Sequence, residues 1–186
     1  MQPWIRRILL STFLGVFTVA AHAANTPLRI TTSVGVIDVV LYDDDAPETV
    51  KNFLDLVDNH FYDGLIFHRV VAGFVIQAGG YDANLQFREP PRTVVNESKV
   101  GMRNRKGTLA MARLPDPDSA DSQFYINVQD NRSLDAKPGI PGYTVFGEVT
   151  GDWQVVETIE LTEVGSRDGM QGVPVVPVTI EKIERL

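Results

Sequence analysis

The stretch LRITTSVGVIDVVLY, residues 28–42, alternates apolar and polar positions on both sides of Ser33-Val34-Gly35. A period of two matches a strand with one buried face, so this stretch predicts a two-stranded hairpin. The period then changes. In DDDAPETVKNFLDLVDNHFYDG, Val50, Phe53, Leu54 and Val57 recur at helical spacing and define one apolar face. Pro47 suits a first helical turn, Asp45 is the capping candidate just before it, and Asp63-Gly64 closes the unit with a turn. Strand character returns over 65–79. Residues 82–105 are polar and contain Pro90-Pro91, which predicts a long loop laid over the domain. Short strands are expected at 107–112, 123–128, 143–149 and 177–183, with the loop LPDPDSADS between the first two. Trp153, Val156 and Ile159 predict a second helix over 152–161. The result is a mainly β domain, which periodicity alone leaves as a closed antiparallel barrel or a sandwich.

The beginning of the chain is organised differently. Arg6 and Arg7 precede an apolar run from Ile8 to about Ala20, and Ala21-His22-Ala23 follows. That order reads as a secretory signal peptide cleaved near Ala23. The run of about 13 residues is short of the ~20 that a membrane-spanning helix needs. The chain divides into a signal peptide, 1–23, and one domain, 24–186, long enough to bury a core. Without Arg6 and Arg7 the 17 basic residues become 15 against 24 acidic ones, a net charge of −9. An acidic chain lacking basic clusters is a poor ligand for a nucleic-acid backbone. It also lacks cysteine, so no disulfide, thiol nucleophile or thiolate ligand is available. After cleavage only His60 and His68 remain, without HExxH-like spacing, and no metal or cofactor is expected.

One segment carries unusual chemistry. FHRVVAGFVIQAGGY, residues 67–81, sets Arg69 and Gln77 inside the most apolar run of the domain. A core has no use for an unpaired guanidinium. Strand alternation would put Phe67 and Arg69 on one face and turn His68, read as structural, to the other.

Taken with KGTLAMAR at 106–113, SQFYINV at 122–128 and YTVFGEV at 143–149, this block resembles the signatures of the cyclophilins, the peptidyl-prolyl cis-trans isomerases. The blocks follow the family's order and span essentially the whole domain, and with the leader they resemble the exported bacterial branch. The resemblance implies an eight-stranded closed antiparallel β-barrel capped by two α-helices, with a groove on the outside of the barrel. It implies proline-containing, unfolded or flexible polypeptides as substrates, a periplasmic location and help in folding exported proteins. No nucleic-acid partner and no membrane association after cleavage are expected, and a monomer is.

The chemistry explains the residues. Amide resonance opposes rotation of an Xaa-Pro bond with a barrier of ~18–20 kcal/mol. At the twisted state the proline nitrogen regains a lone pair, so a donor aimed at it acts only there. By resemblance Arg69 is that donor, Gln77 meets the carbonyl before proline, and Phe74 is the main pocket wall. Val75, Tyr125, Leu134 and Tyr143 complete the proline pocket, Gln123 extends the groove, and Ala112 and Arg113 hold the substrate chain, partly through backbone groups. Phe124 alternates with Tyr125 and is expected to face the barrel interior.

Several positions depart from the better-known eukaryotic pattern. Val75 replaces a common methionine, Ala72 a proline, Arg113 an asparagine and Tyr143 a histidine. Tyr125 replaces phenylalanine and is expected to add a hydroxyl to the pocket wall. Ser133 replaces an aromatic residue that contacts cyclosporin, which predicts weak cyclosporin binding. A hydrolase is disfavoured by the absence of a G-x-S-x-G elbow. A proline-segment-binding chaperone without significant catalysis is the alternative, and Arg69 and Gln77 argue against it.

Overall fold

The computed structural model describes residues 25–186, so the signal-peptide reading lies outside the described residues. The alternating segment forms β1 (Pro27–Thr32) and β2 (Gly35–Leu41), paired from Pro27–Val40 to Thr32–Gly35. Leu28, Ile30, Ile37, Val39 and Leu41 face the core, as the period of two requires. Helix α1 (Pro47–Asp58) buries Val50, Phe53, Leu54 and Val57, together with Leu56, Thr49 and Asn52.

The expected cap, Asp45, does not cap α1. The N-cap is Ala46, which has no side-chain acceptor. The free amides of the first turn are met from far along the chain: the Glu97 carboxylate accepts from Glu48 N (3.1 Å) and Thr49 N (2.8 Å). An anion at this end of a helix also suits its dipole. Asp45 instead faces Lys99 at 3.6 Å. These contacts pin the long polar segment to the helix, which is how a stretch with few strand contacts stays ordered.

The apolar run after α1 makes two short strands, β3 (Arg69–Val71) and β4 (Val75–Ala78), joined at Ala72-Gly73 and pairing Arg69 with Gln77. β5 (Thr108–Met111), β6 (Phe124–Asn127) and β7 (Val145–Val149) follow, then α2 (Gln154–Glu160). A hairpin that periodicity missed comes next, β8 (Val164–Arg167) and β9 (Met170–Pro174), followed by β10 (Ile180–Arg185). The main sheet has eight antiparallel strands in the order β10-β1-β2-β7-β5-β6-β4-β3. It curls until its two ends are bridged: Gly64 N and Phe67 N donate to Ile180 O and Val178 O, and Ile180 N donates to Leu65 O at 2.7 Å. The structure thus selects the barrel over the sandwich.

The interior is filled around Phe53, whose ring lies 5.0, 5.3 and 5.1 Å from those of Tyr62, Phe124 and Phe146. Phe124 faces inward as its alternation with Tyr125 predicts. The expected shared face of Phe67 and Arg69 is not found. Phe67 and Val70 both belong to the interior, whereas Arg69 is on the outer face beside Gln77. The reason is local: β3 starts only at Arg69, so residues 67 and 68 do not follow strand alternation.

Candidate active site

β5 and β6 are buried on both faces. Leu109, Met111, Phe124 and Ile126 point into the barrel, while Ala110 and Tyr125 point outward. This double burial explains why their sequences read as continuous apolar runs. On the outer face Ala110, Tyr125, Val75 and Val145 make a second apolar cluster. Phe74, Ala112, Leu134 and Tyr143, all half-buried, pack against it from the surrounding loops. Every expected pocket residue is in this cluster. Tyr42, Met102, Ala110 and Val145 belong to it as well and were not singled out from sequence: Tyr42 and Met102 lie outside the quoted blocks, and Ala110 and Val145 lie inside them as small apolar residues with no polar group to mark them.

Beside the cluster runs a polar row. Arg69 and Gln77 are cross-strand partners, and Arg69 Nη1 donates to Gln77 Oε1 at 3.3 Å. Gln77 Nε2 in turn donates to Gln123 Oε1 at 3.1 Å. The guanidinium carbon of Arg69 lies 5.9 Å from the centre of the Phe74 ring. Among the described residues Arg69 has no carboxylate at ion-pair distance, so its charge is held by an amide oxygen and an aromatic face and still reaches solvent. Gly79 and Gly80 make room for this row. A Cβ at Gly80 would lie 2.8 Å from the Gln123 side chain, and one at Gly79 2.6 Å from Ser122 O. A cavity of about 330 Å³ continues the groove past Gln77, Ala112 and Gln123 toward Tyr81, Phe87 and Leu114.

His68 is 2% exposed and packs against Tyr81 with ring centres 4.8 Å apart and the rings tilted by 57°. Burial pushes its pKa down to about 4, so the ring is neutral near pH 7. It lies beneath the groove, beside Gln123.

Two side chains differ from expectation. The Tyr125 hydroxyl does not line the pocket; it turns away and donates to Asn104 Oδ1 at 2.8 Å, in a fully buried contact. The Arg113 guanidinium is occupied by the groove's own rim. It donates to Leu114 O (2.9 Å), Gly142 O (3.2 Å), Pro115 O and Pro141 O (both 3.3 Å), and stacks 4.7 Å over the Tyr143 ring. The Arg113 side chain is thereby fixed along the wall of the groove. Ser133 is exposed at the rim, in the 3-10 turn Arg132–Leu134. Among the described residues no group of three or more His, Asp or Glu could hold a metal ion, and no helix is long and apolar enough to cross a membrane.

An apolar pocket on the outside of a curled eight-stranded barrel, edged by an uncompensated arginine and two glutamines, suits binding and twisting of a proline amide without covalent chemistry. The comparisons agree. The family described as cyclophilin type peptidyl-prolyl cis-trans isomerase/CLD matches residues 27–185. A peptidyl-prolyl cis-trans isomerase of Acinetobacter baylyi is 43% identical over 172 residues, covering 92% of each chain. Peptidyl-prolyl cis-trans isomerase B of Escherichia coli is 45% identical over 157 residues, 82% of this chain and 94% of the relative. A Cryptosporidium parvum cyclophilin solved in the presence of the dipeptide Ala-Pro is similar with a TM-score of 0.73 at 25% identity, over 86% of this chain and 98% of that one. The chain belongs to the cyclophilin family. It is a peptidyl-prolyl cis-trans isomerase, and its substrates are proline-containing peptides.

Proposed function

We propose that Arg69 drives the isomerisation by donating a hydrogen bond to the proline nitrogen as the amide twists. The observation that carries this reading is that, among the described residues, Arg69 has no carboxylate at ion-pair distance while it stands beside an apolar pocket. A guanidinium already neutralised by Asp or Glu would have little field left for a developing lone pair. Gln77 takes the carbonyl before proline. Gln123 holds the Gln77 amide in register. Phe74, with Val75, Tyr125, Leu134 and Tyr143, receives the proline ring, and Ala112 and the backbone of Arg113 hold the chain beside it. The amide loses stabilisation by water in the pocket and gains it from a donor that acts only on the twisted form.

Binding of proline segments without turnover needs the apolar cluster alone. The Arg69–Gln77 row is a costly addition to such a surface, which favours catalysis. The leader-like residues 1–23 support export, with a monomer working on unfolded exported chains in the periplasm.

The test follows cis–trans exchange of a short Ala-Pro-Phe peptide by NMR, with the mature protein and with Arg69→Ala. Loss of at least ~100-fold in the variant, with peptide affinity and fold kept, is expected for removal of a donor specific to the transition state. Equal exchange rates with the two proteins would overturn the assignment. Secretion is checked separately, by finding the processed chain in the periplasmic fraction and mapping its new N-terminus.

A further inference from the structure

Residues 129–133 form an exposed turn with one exception. Gln129, Asp130, Arg132 and Ser133 are exposed, yet Asn131 between them is 4% exposed. An asparagine buried in an otherwise solvated turn must satisfy its amide inside the protein. Its Nδ2 does so twice, donating to Phe74 O at 2.8 Å and to Asn127 Oδ1 at 2.7 Å. Its backbone is equally engaged: Asn131 N donates to Asn104 O at 2.7 Å, and Asn131 O accepts from Leu134 N at 2.9 Å.

These four contacts join parts of the groove that are remote in sequence. Phe74 follows Gly73 (φ +66°) at the tip of the β3–β4 hairpin, where its N–H donates to Val71 O at 2.9 Å and its ring packs on the outer cluster. Its carbonyl is held by Asn131 Nδ2 and by Val128 N at 3.1 Å. Asn127, the second acceptor, also donates to Thr108 Oγ1 at 2.9 Å and to Asn104 Oδ1 at 3.3 Å. The Asn104 oxygen is the one that receives the Tyr125 hydroxyl. The hairpin tip, the pocket floor and the turn bearing Leu134 thus meet at one residue, whose side chain holds the first two and whose backbone holds the third.

We propose that Asn131 is a positioning residue for isomerisation: its side-chain amide sets the Phe74 wall of the pocket against Arg69 and the floor. The proposal rests on the reading of Phe74 as the proline-ring wall. The Leu134 bond uses the Asn131 backbone and survives truncation, so the side chain acts mainly through Phe74.

The experiment is a double-mutant cycle on kcat/KM with an Ala-Pro peptide, using Asn131→Ala, Phe74→Ala and the double variant, with thermal melts of each. Asn131→Ala is expected to lower kcat/KM about tenfold at a temperature where it is fully folded, because small displacements of a positioning group cost rate. In the Phe74→Ala background the same change is expected to cost less than about twofold, because contacting sites are non-additive. Equal losses in both backgrounds, or a lowered melting temperature with unchanged kcat/KM, would overturn the proposal while leaving the pocket reading intact. An inert Phe74→Ala would overturn the pocket reading and the proposal with it. If Asn131→Ala does not fold, Asn131→Ser, whose shorter side chain offers one hydrogen and cannot donate to both Phe74 O and Asn127 Oδ1, goes through the same cycle with the same criteria.

Discussion

Tyr125→Phe separates the two jobs of the pocket floor. The change removes one oxygen and leaves the ring in the apolar cluster. The hydroxyl's partner, Asn104 Oδ1, is buried and 2.8 Å away. Burial also pushes the Tyr125 pKa well up, so the group is a neutral donor at any working pH. A buried neutral hydrogen bond contributes about 1 kcal/mol net, and an acceptor left wholly unpaired would cost more. Here Asn104 Oδ1 still accepts from Asn127 Nδ2 at 3.3 Å, which limits the loss. The expected destabilisation is about 1–2 kcal/mol, or ~2–8 °C in Tm for a domain of this size. The hydroxyl points away from the pocket, so kcat/KM for an Ala-Pro peptide should stay within about threefold of wild type. Urea melts and peptide-exchange NMR read the two effects independently. A tenfold or larger loss of kcat/KM with unchanged stability would refute the geometry, because the hydroxyl would then be touching substrate.

Other outcomes follow from single contacts. Glu97→Ala should cost about 1 kcal/mol in urea unfolding by freeing two amides at the start of α1, with Glu97→Gln intermediate; no change would mean that water caps the helix equally well. His68 titrates at about 4 when folded and near 6.5 when unfolded, so between these values the unfolded chain binds more protons. Stability should therefore fall as pH drops from 6.5 to 4, by up to about 3 kcal/mol, and His68→Gln should flatten melts across that window; an unaltered slope would sink the assignment. Cyclosporin should bind weakly, since Ser133 presents no apolar surface at the rim, and Ser133→Trp should tighten it; nanomolar inhibition of the wild type would contradict this.

The site was more legible than the scaffold around it. Arg69 and Gln77 stood out because charge and amide are conspicuous in an apolar run, and the structure makes them cross-strand neighbours. Contacts that depend on long-range approach were invisible. Nothing near Ala46 announces that Glu97 will complete α1, so local capping logic favoured Asp45. Alternation failed for Phe67 because it presumes a strand that begins two residues later. The β8–β9 hairpin was missed although Asp168-Gly169, both with positive φ, is a two-residue hairpin turn. Its strand residues are largely exposed and glycine-rich, so no apolar period marks them. Asn131 was passed over because only the fold shows that it is buried.

β5 and β6 serve two compartments at once, with the packed interior behind them and the outer apolar cluster in front. A substitution that changes the volume of the pocket floor therefore also disturbs a stave of the barrel, and those two effects are selected together. Leu134, Tyr143, Phe87 and Leu114 lie outside the strands and carry no such double duty. Adaptation to new clients is thus channelled into the rim. Divergence among relatives in substrate preference should concentrate in those loops, while the floor drifts only through exchanges that keep its volume.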